Sequence, residues 1–394
     1  MNDKRKVFVL LKNKIVSIDS ILPFAIELNH QCGRRFEFII WDDKTYYSIV
    51  NNNLVILDMI KSVGGIIKCT TKNDNHILNK LKKLFVMFDV IIQYWINGAS
   101  ILHFGGLDVK PLLFFSYFFN KKDLILCESM STGRRTSDMN NLPRNYIGIY
   151  QHRSNTSDFI KYKPLNDPQL RSGILLAFDS QWNWFKHPSS TNVKKIIFSE
   201  GKQSVLYRNY IKENMINYLV ADDMPKINNN RSVVLILGHF GEGWATHILS
   251  KMIFDLLFLL VKMKIDVIIK PHVFTNLDRL NVIIDLVHER ESFIHITKLH
   301  PQVLMNISRA ALFVNTSSVR CEYIDAKFPV IQYTDGHDDL ILKDSCSEYI
   351  CEDIKSLEMC IEKIIESETI NTAKSRYKKY NASSLTNTVL CKTQ

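Results

Sequence analysis

The sequence lacks the cysteine spacing of a disulfide or zinc framework. It has eight cysteines in 394 residues, but none forms a Cys-x-x-Cys pair and none groups with histidines at zinc-ligand spacing. It also lacks a long apolar run, because the most apolar stretch, residues 252–261, contains Asp255 and is about half the ~20 residues that span a bilayer. The charged N-terminus precedes no signal-type apolar core. These absences predict a reduced, cytoplasmic protein without a transmembrane segment.

Motifs of nucleic-acid-binding domains are also absent, although the chain is basic. Its formal net charge is +10, which suits nucleic acid, an anionic membrane surface or an anionic small substrate. No stretch has the pattern of a homeodomain, zinc finger or RNA-recognition motif, and we expect no nucleic-acid partner. The basic tail, residues 371–394, is interpreted as a solvated helix face, with peripheral contact at the inner face of a membrane as the alternative.

The sequence does contain a repeated alternation of short apolar runs with longer helical patterns, which is typical of a doubly wound parallel α/β sheet. The alternation occurs twice. It predicts an acceptor-binding Rossmann-like domain over residues 1–221, a polar linker at 222–231 and a donor-binding Rossmann-like domain at 232–370. Two such domains facing a central cleft form the GT-B architecture, in which ligands bind outside the carboxyl ends of the strands.

The predicted strands are short, and the predicted helices lie between them. In the first half, the helices include 20–29 and 77–87, and the strands are 7–11, 36–41, 65–69, 89–95, 123–129 and 173–179. In the second half, the strands are 232–238, 266–272, 292–296, 311–315 and 329–333.

A glycine-rich stretch, GHFGEGW, follows the first strand of the second half. Gly238 and Gly241 allow backbone amides to approach a ligand closely, and the start of the next helix favours an anion. His239 and Glu242 add titratable groups to the same stretch. The alternative is an ordinary turn between a strand and a helix.

A lysine and a histidine flank a proline at the end of the next strand. Pro271 stops that strand, so that Lys270 and His272 are expected at its carboxyl end. A cation and an imidazole in this place are suited to binding a diphosphate or assisting a leaving phosphate. A structural role for the histidine is the alternative.

Small polar residues end a third strand in the stretch ALFVNTSSVRCEY. Thr316, Ser317 and Ser318 stand at a helix start, where they either cap the helix or bind phosphate. Glu322 follows one turn later and is suited to ribose hydroxyls. Because three phosphate-compatible loops are predicted at one edge of one sheet, we interpret them together as a nucleotide-binding site.

The order of these motifs resembles two families of bacterial surface-polysaccharide enzymes. These are capsule-type transferases, including Kdo and sialic acid transferases that use CMP-sugars, and CDP-glycerol:glycerophosphate transferases. The resemblance covers residues 232–335 and implies that His272, Ser317 and Ser318 hold the donor phosphates. Val273 stands where those families usually have proline after the histidine. A literal His-Pro occurs at 300–301, which makes His300 the rival motif residue.

The first domain is expected to bind the acceptor and to supply any acid or base. Glu128, directly after a predicted strand, is the preferred general base or nucleophile, and Asp108 is a further catalytic candidate. Each of these positions has a solvated loop as its alternative. The acceptor-site candidates are His103, Arg134 and Arg135; the remaining acids are Asp42, Asp43, Asp222 and Asp223; and the residues suited to sugar stacking are Trp182 and Trp184.

Together these features predict a metal-independent, cofactor-free GT-B glycosyltransferase that builds a cell-surface glycan. Its partners would be a nucleotide-sugar donor and a glycan or lipid-linked glycan acceptor. The basic charge and the cytidine-using families favour a CMP-linked acidic sugar such as Kdo as the donor. The alternatives are a CDP-polyol phosphate transferase and a sugar-nucleotide 2-epimerase, which shares the fold but needs no acceptor.

Overall fold

The structure is a computed structural model of the chain. It describes residues 5–10, 15–71, 76–103, 114–115, 118, 124–127, 173–176, 194–197, 201–225, 227, 229–238, 240, 246–272, 275–287, 293–314, 317, 319–334 and 349–366. The chain divides into two compact units, with the boundary between Tyr207 and Arg208. None of the described helices combines the length and apolarity needed to cross a membrane.

The first unit contains a parallel sheet of seven strands. They are β1 (Lys6–Leu10), β2 (Arg35–Ile40), β3 (Gly64–Lys68), β4 (Ser100–His103), β5 (Leu124–Cys127), β6 (Gly173–Leu176) and β7 (Lys194–Ile197). Their order across the sheet is β3-β2-β1-β4-β5-β6-β7, so the direction of strand addition reverses between β1 and β4. The described helices of this half are Ile15–Cys32, Asp43–Asn52, Leu54–Val63 and His76–Asn97, followed by Val205–Ala221, which lies across the boundary.

The second unit repeats this plan with six parallel strands. They are β8 (Ser232–Leu237), β9 (Asp266–Lys270), β10 (Ile294–Ile296), β11 (Ala310–Val314), β12 (Val330–Tyr333) and β13 (Tyr349–Cys351). Their order is β10-β9-β8-β11-β12-β13, with a reversal between β8 and β11. The helices are Thr246–Lys262, Leu277–Val287, Pro301–Leu304, Val319–Asp325 and Ile354–Glu366.

Both faces of the second sheet are covered, which explains its continuous apolar strands. Every residue of β8 is buried. Alternate residues such as Leu235 and Leu312 pack in one cluster with the helices Thr246–Lys262 and Ile354–Glu366. On the opposite face, Phe313 contacts Tyr323 edge to face at 5.7 Å between ring centroids. Strands buried on both sides need apolar residues at every position, and this is the pattern of a doubly wound sheet.

The predicted strand at 89–95 is wrong, because these residues belong to the helix His76–Asn97. This helix ends at Gly98, whose φ of +64° is a left-handed conformation that glycine adopts readily. Its amide donates to Tyr94 O at 3.0 Å. The strand of this region is β4. It was not predicted from the sequence, because the apolar run at 89–95 has the composition of a strand. The run is continuous because this helix is apolar on two opposite sides, so it lacks the one-sided periodicity that identifies a helix.

The segment after the helix Val205–Ala221 is held in the second unit by hydrogen bonds. Asp222, in the predicted linker, accepts hydrogen bonds from the Thr297 hydroxyl and from Lys298 N, the latter at 3.2 Å. Its carboxylate also lies 3.5 Å from His295 Nε2. The sequence-based boundary after residue 221 thus lies at the opposite end of the helix from the boundary between the compact units.

Two acids at the end of β2 have local structural partners. Asp42 caps the helix Asp43–Asn52, because its Oδ1 accepts a hydrogen bond from Thr45 N at 2.8 Å. Asp43 lies 2.6 Å from Lys68 Nζ and accepts a hydrogen bond from the Thr70 hydroxyl. The hydrogen bond from Lys68, followed by that from Thr70, lowers the pKa of the Asp43 carboxyl. Both carboxylates therefore help to position the first turn of this helix.

We expect Asp42→Ala to lower the free energy of unfolding by about 1 kcal/mol, because the substitution removes the helix cap. Urea denaturation measures this change. Lys44→Ala, at an exposed position of the same helix, is the matched control and should leave stability nearly unchanged. Unchanged stability in Asp42→Ala would show that this carboxylate does not stabilise the helix.

Candidate nucleotide-binding site

The reversal of strand order in the second sheet places the glycine-rich stretch beside the serine-rich stretch. β8 and β11 are neighbours in the sheet, and their carboxyl ends are joined by a hydrogen bond from Gly238 N to Val314 O at 3.3 Å. Gly238 is buried and begins the first loop, whereas Ser317 follows Val314 in the other. In doubly wound sheets, ligands bind in the crevice at such a reversal. The predicted glycine-rich and serine-rich loops therefore lie beside such a reversal, and nucleotide binding there stays a prediction.

A second hydrogen bond joins the glycine-rich stretch to the loop after β9. Asn276 N donates to Phe240 O at 2.9 Å, and the Phe240 side chain is buried. The Asn276 side chain also accepts a hydrogen bond from Arg279 N at 3.1 Å, at the start of the helix Leu277–Val287. Asn276 thus caps its own helix and holds two of the three predicted loops together.

The lysine and histidine after β9 have different surroundings. β9 ends at Lys270, two residues earlier than predicted, because Pro271 cannot continue the strand. Lys270 Nζ donates to Lys298 O at 2.9 Å and is half-buried. His272 is exposed, and its carbonyl oxygen accepts a hydrogen bond from Thr275 N at 2.9 Å. The imidazole is therefore accessible to a ligand at this edge of the sheet.

Ser317 has a capping role at the helix Val319–Asp325. Its hydroxyl oxygen accepts a hydrogen bond from Val319 N at 3.4 Å, and its carbonyl oxygen accepts one from Arg320 N at 3.2 Å. A serine hydroxyl that accepts a hydrogen bond keeps its own proton to donate. Capping the helix and binding an anion are therefore compatible at this residue.

The same helix carries a buried cation. Arg320 is 3% exposed, and its Nη1 donates to Gln332 Oε1 at 3.0 Å. Glu322 is half-buried on this helix. The adjacent Tyr323 is fully buried, and this burial, together with the charge of Glu322, raises its pKa well above the ordinary value. The helix thus places a buried positive charge within one turn of the serine-rich stretch.

The rival histidine has a structural role. His300 is 7% exposed and caps the short helix Pro301–Leu304, because its Nδ1 accepts a hydrogen bond from Gln302 N at 3.2 Å. The Tyr323 hydroxyl donates to Pro301 O at 2.9 Å. The literal His-Pro pair therefore serves packing beneath the helix Val319–Asp325, and His272 is the better placed of the two histidines for a ligand.

In the first sheet, one candidate site residue among the described ones lies where the strand order reverses. His103 ends β4, pairs in register with Leu10 of β1 and is fully buried. Among the described residues, no group of three His, Cys, Asp or Glu side chains is arranged to hold a metal ion. Asp223 is exposed and has a left-handed backbone, with a φ of +50°. The other candidates lie outside the described residues: His239, Gly241, Glu242, Thr316 and Ser318 in the second half, and Asp108, Glu128, Arg134, Arg135, Trp182 and Trp184 in the first.

Two features of the site were not predicted from the sequence. Asn276 has the sequence signal of a helix cap, because it directly precedes the apolar-periodic helix Leu277–Val287. Its hydrogen bond to Phe240 had no such signal, because the two residues are 36 positions apart in the chain. The Arg320–Gln332 pair likewise joins a helix to β12, and only the fold brings these side chains together.

Comparison with known proteins shows the fold class. No protein-family profile matches the sequence, and no curated protein is significantly similar to it. UDP-GlcNAc 2-epimerase from Methanocaldococcus jannaschii is 12% identical with a TM-score of 0.55, over 93% of each chain. UDP-GlcNAc 2-epimerase from Neisseria meningitidis, bound to UDP-GlcNAc, is 13% identical with a TM-score of 0.53, over 97% of this chain and 98% of that one.

A third similar structure is TcCGT1 in complex with UDP. It is 13% identical with a TM-score of 0.50, and the match covers 93% of this chain and 91% of that chain. At such low identity the likeness is one of fold. The matches extend over nearly the whole chain, and both sheets have the doubly wound strand order. The predicted class, an α/β protein with two Rossmann-like domains of the GT-B type, is confirmed.

We expect the two histidines to separate stability from activity. His300→Ala should lower the free energy of unfolding by about 1 kcal/mol, because it removes a helix cap. His272→Ala, at an exposed position, should change stability by less than about 0.5 kcal/mol but lower turnover. Thermal denaturation and an activity assay measure the two effects. A stable, inactive His300→Ala beside an active His272→Ala would reverse the assignment of the motif histidine.

Proposed function

We propose that the protein is an enzyme that acts on a nucleotide-activated sugar and binds the nucleotide at the carboxyl edge of the second sheet. The observation that carries this proposal is the convergence of three loops at one edge. The loops that begin at Gly238 and after Lys270 are joined through Asn276 and Phe240, and the Gly238 amide is bonded to the end of β11. Backbone amides, a serine hydroxyl, a lysine and an imidazole are suited to phosphate oxygens.

The structural neighbours support a nucleotide-sugar substrate. The two epimerases are named for UDP-GlcNAc, and TcCGT1 was solved with UDP. The chain's net charge of +10 favours an anionic ligand in general. The resemblance of residues 232–335 to cytidine-using transferases supports a CMP-linked acidic sugar, such as Kdo, as the donor. Our first candidate is therefore transfer of such a sugar to a cell-surface glycan, with polyol-phosphate transfer from a CDP donor as its nearest variant.

Epimerisation of a sugar nucleotide at C2 is the second candidate. It is favoured by the likeness to UDP-GlcNAc 2-epimerases over 93% or more of both chains. The two reactions differ in their need for an acceptor. An epimerase inverts one carbon of the bound sugar and returns the nucleotide sugar, whereas a transferase releases the free nucleotide and forms a new glycosidic bond.

Product analysis decides between these candidates. The full chain is incubated with CMP-, CDP- and UDP-sugars, with and without a lipid-linked glycan acceptor, and the products are followed by NMR and mass spectrometry. Nucleotide release that requires the acceptor supports transfer. Conversion of the nucleotide sugar to its C2 epimer without acceptor supports epimerisation. If calorimetry detects no binding of CMP, CDP or UDP, the nucleotide-sugar proposal is wrong in both forms.

We expect replacement of Ser317 and Ser318 by Ala to weaken nucleotide binding by about 1–3 kcal/mol, the range of hydrogen bonds to a charged group. This corresponds to a Kd about 5–150 times higher by calorimetry. Ser356→Ala is the matched control, since Ser356 also lies at a helix start in the second unit, where its hydroxyl donates to Asp353 O. Unchanged affinity with a lower melting temperature would restrict the serine pair to helix capping.

The first domain is proposed to supply the catalytic carboxylate. Glu128 follows directly on β5, and we expect Glu128→Gln to lower turnover by about 10²–10⁴-fold, as for a lost general base. Nucleotide affinity should stay constant, because the proposed nucleotide site lies in the other domain. Glu213→Gln, on the exposed side of the helix Val205–Ala221, serves as the control. Wild-type turnover in Glu128→Gln would remove this residue from the mechanism.

A further inference from the structure

The helix His76–Asn97 exposes a row of large apolar side chains. Their exposed fractions lie between 45% and 72%, and they are spaced alternately three and four residues apart. We call this row the apolar stripe; it consists of Leu78, Leu81, Phe85, Phe88, Ile92 and Trp95. Ile77, Leu84 and Ile96 flank it and are 45–75% exposed as well.

Most of the apolar stripe lies away from the hydrophobic core, although the Phe88 ring contacts Phe114 edge to face at 6.5 Å between ring centroids. Residues on the other side of the same helix, Val86, Met87, Val90 and Ile91, pack against the core of the first sheet. Positions 86 and 90 lie about 100° and 140° around the helix from position 85, whereas the stripe spans about 100° on the far side. The helix therefore has one apolar face that packs against the core and a second apolar face that is largely exposed.

We propose that the apolar stripe is a self-association surface through which two copies of the chain pair as antiparallel helices. The spacing is the first reason. Apolar residues that alternate at three and four residues form the seam by which one helix packs against another, because they follow a repeat of 3.5 residues.

The charge distribution favours the antiparallel direction. Lys80, Lys82 and Lys83 lie in the N-terminal half of the helix, whereas residues 90–97 contain no charged residue. Lys82 lies nearest to the stripe, about 60° around the helix from Phe85, and parallel pairing would bring the two copies of this lysine together. Antiparallel pairing instead separates the two copies of Lys82 and places each near the C-terminal half of the second helix, where the helix dipole is negative.

Side-chain sizes match in the antiparallel direction. With the two-fold axis midway between positions 85 and 88, Leu78 faces Trp95 of the second copy and Leu81 faces Ile92. Phe85 then faces Phe88 near the axis. Each of the first two pairs joins a leucine to an equal or larger residue, and the aromatic pair fills the centre. A two-fold axis makes the same contacts twice, which is the form of a closed dimer interface.

The exposed area is sufficient for a stable dimer. An aromatic side chain has roughly 150–250 Å² of surface, and we use the lower end of this range for leucine and isoleucine. The exposed fractions of the stripe and its flanking residues then correspond to an area on the order of 900 Å² per copy. This exceeds the largest apolar patch of a typical monomer, about 300–600 Å². It is similar to the ~800 Å² per partner of a standard interface.

Sedimentation of the full chain tests the pairing. We expect a dimer at micromolar concentration, and Phe85→Glu should raise its dissociation constant at least about 100-fold, because the charge would lie at the centre of the seam. Leu286→Glu is the matched control. Leu286 is 69% exposed on the helix Leu277–Val287, close to the 72% of Phe85, and its substitution should leave the dimer intact. Circular dichroism verifies folding of both variants, and Trp95→Lys replaces Phe85→Glu if the latter does not fold.

Cysteine cross-linking tests the direction. In the antiparallel pair, positions 81 of the two copies are about 16 Å apart along the helix axis, whereas position 81 faces position 92. The double variant Leu81→Cys with Ile92→Cys should therefore form a cross-linked dimer on oxidation. Each single variant should give no more cross-linking than the wild-type chain, whose eight cysteines set the background.

Three results would overturn the proposal. The first is a wild-type chain that stays monomeric at tens of micromolar. The second is a dimer that Phe85→Glu does not weaken, because the interface would then lie elsewhere. The third is efficient cross-linking of Leu81→Cys alone, which would require parallel helices. If the chain is monomeric and binds anionic lipid vesicles in a manner that Phe85→Glu abolishes, the stripe is a membrane surface and the self-association proposal is wrong.

Discussion

The candidate site depends on the right-handedness of the connections between parallel strands. Because each crossover is right-handed, strands added on one side of β8 place their helices on one face of the sheet, and strands added on the other side place them on the opposite face. Between β8 and β11 the order reverses, so the two loops leave their strands toward opposite faces and a crevice opens between them. The hydrogen bond from Gly238 to Val314 marks the point where these two strands part.

Polar residues at strand ends cap helices, and the same residue types bind ligands. Asp42 and His300 each follow a strand in sequence and have side chains suited to catalysis, yet each caps the next helix. A helix start has unsatisfied amide donors, and the same donors attract anions, so both functions select the same residue types. Ser317 combines the two, since its oxygen accepts from the helix while its proton remains available. His272 is exposed beyond Pro271.

The helix His76–Asn97 shows how packing on two sides changes a sequence pattern. One face contacts the core around Val90, and the opposite face carries the apolar stripe. In residues 89–95 the two faces merge into an apolar run of strand-like length, which led to the prediction of a strand. Asn97-Gly98 was the available signal for a helix end, since glycine adopts the left-handed conformation found there.

The sequence by itself determined the doubly wound class and most strands of the second domain. Strands buried on both faces need apolar residues at every position, and Pro271 and the serine-rich stretch mark where such strands end. The strand order was decided only by the tertiary structure, because hydrogen bonds between parallel strands join segments far apart in the chain and leave no local signature. The same reason applies to the link between Asn276 and Phe240 and to the buried pair of Arg320 and Gln332. The local sequence reflects the burial and the secondary structure of each residue. These contacts depend instead on which distant residues the fold brings together.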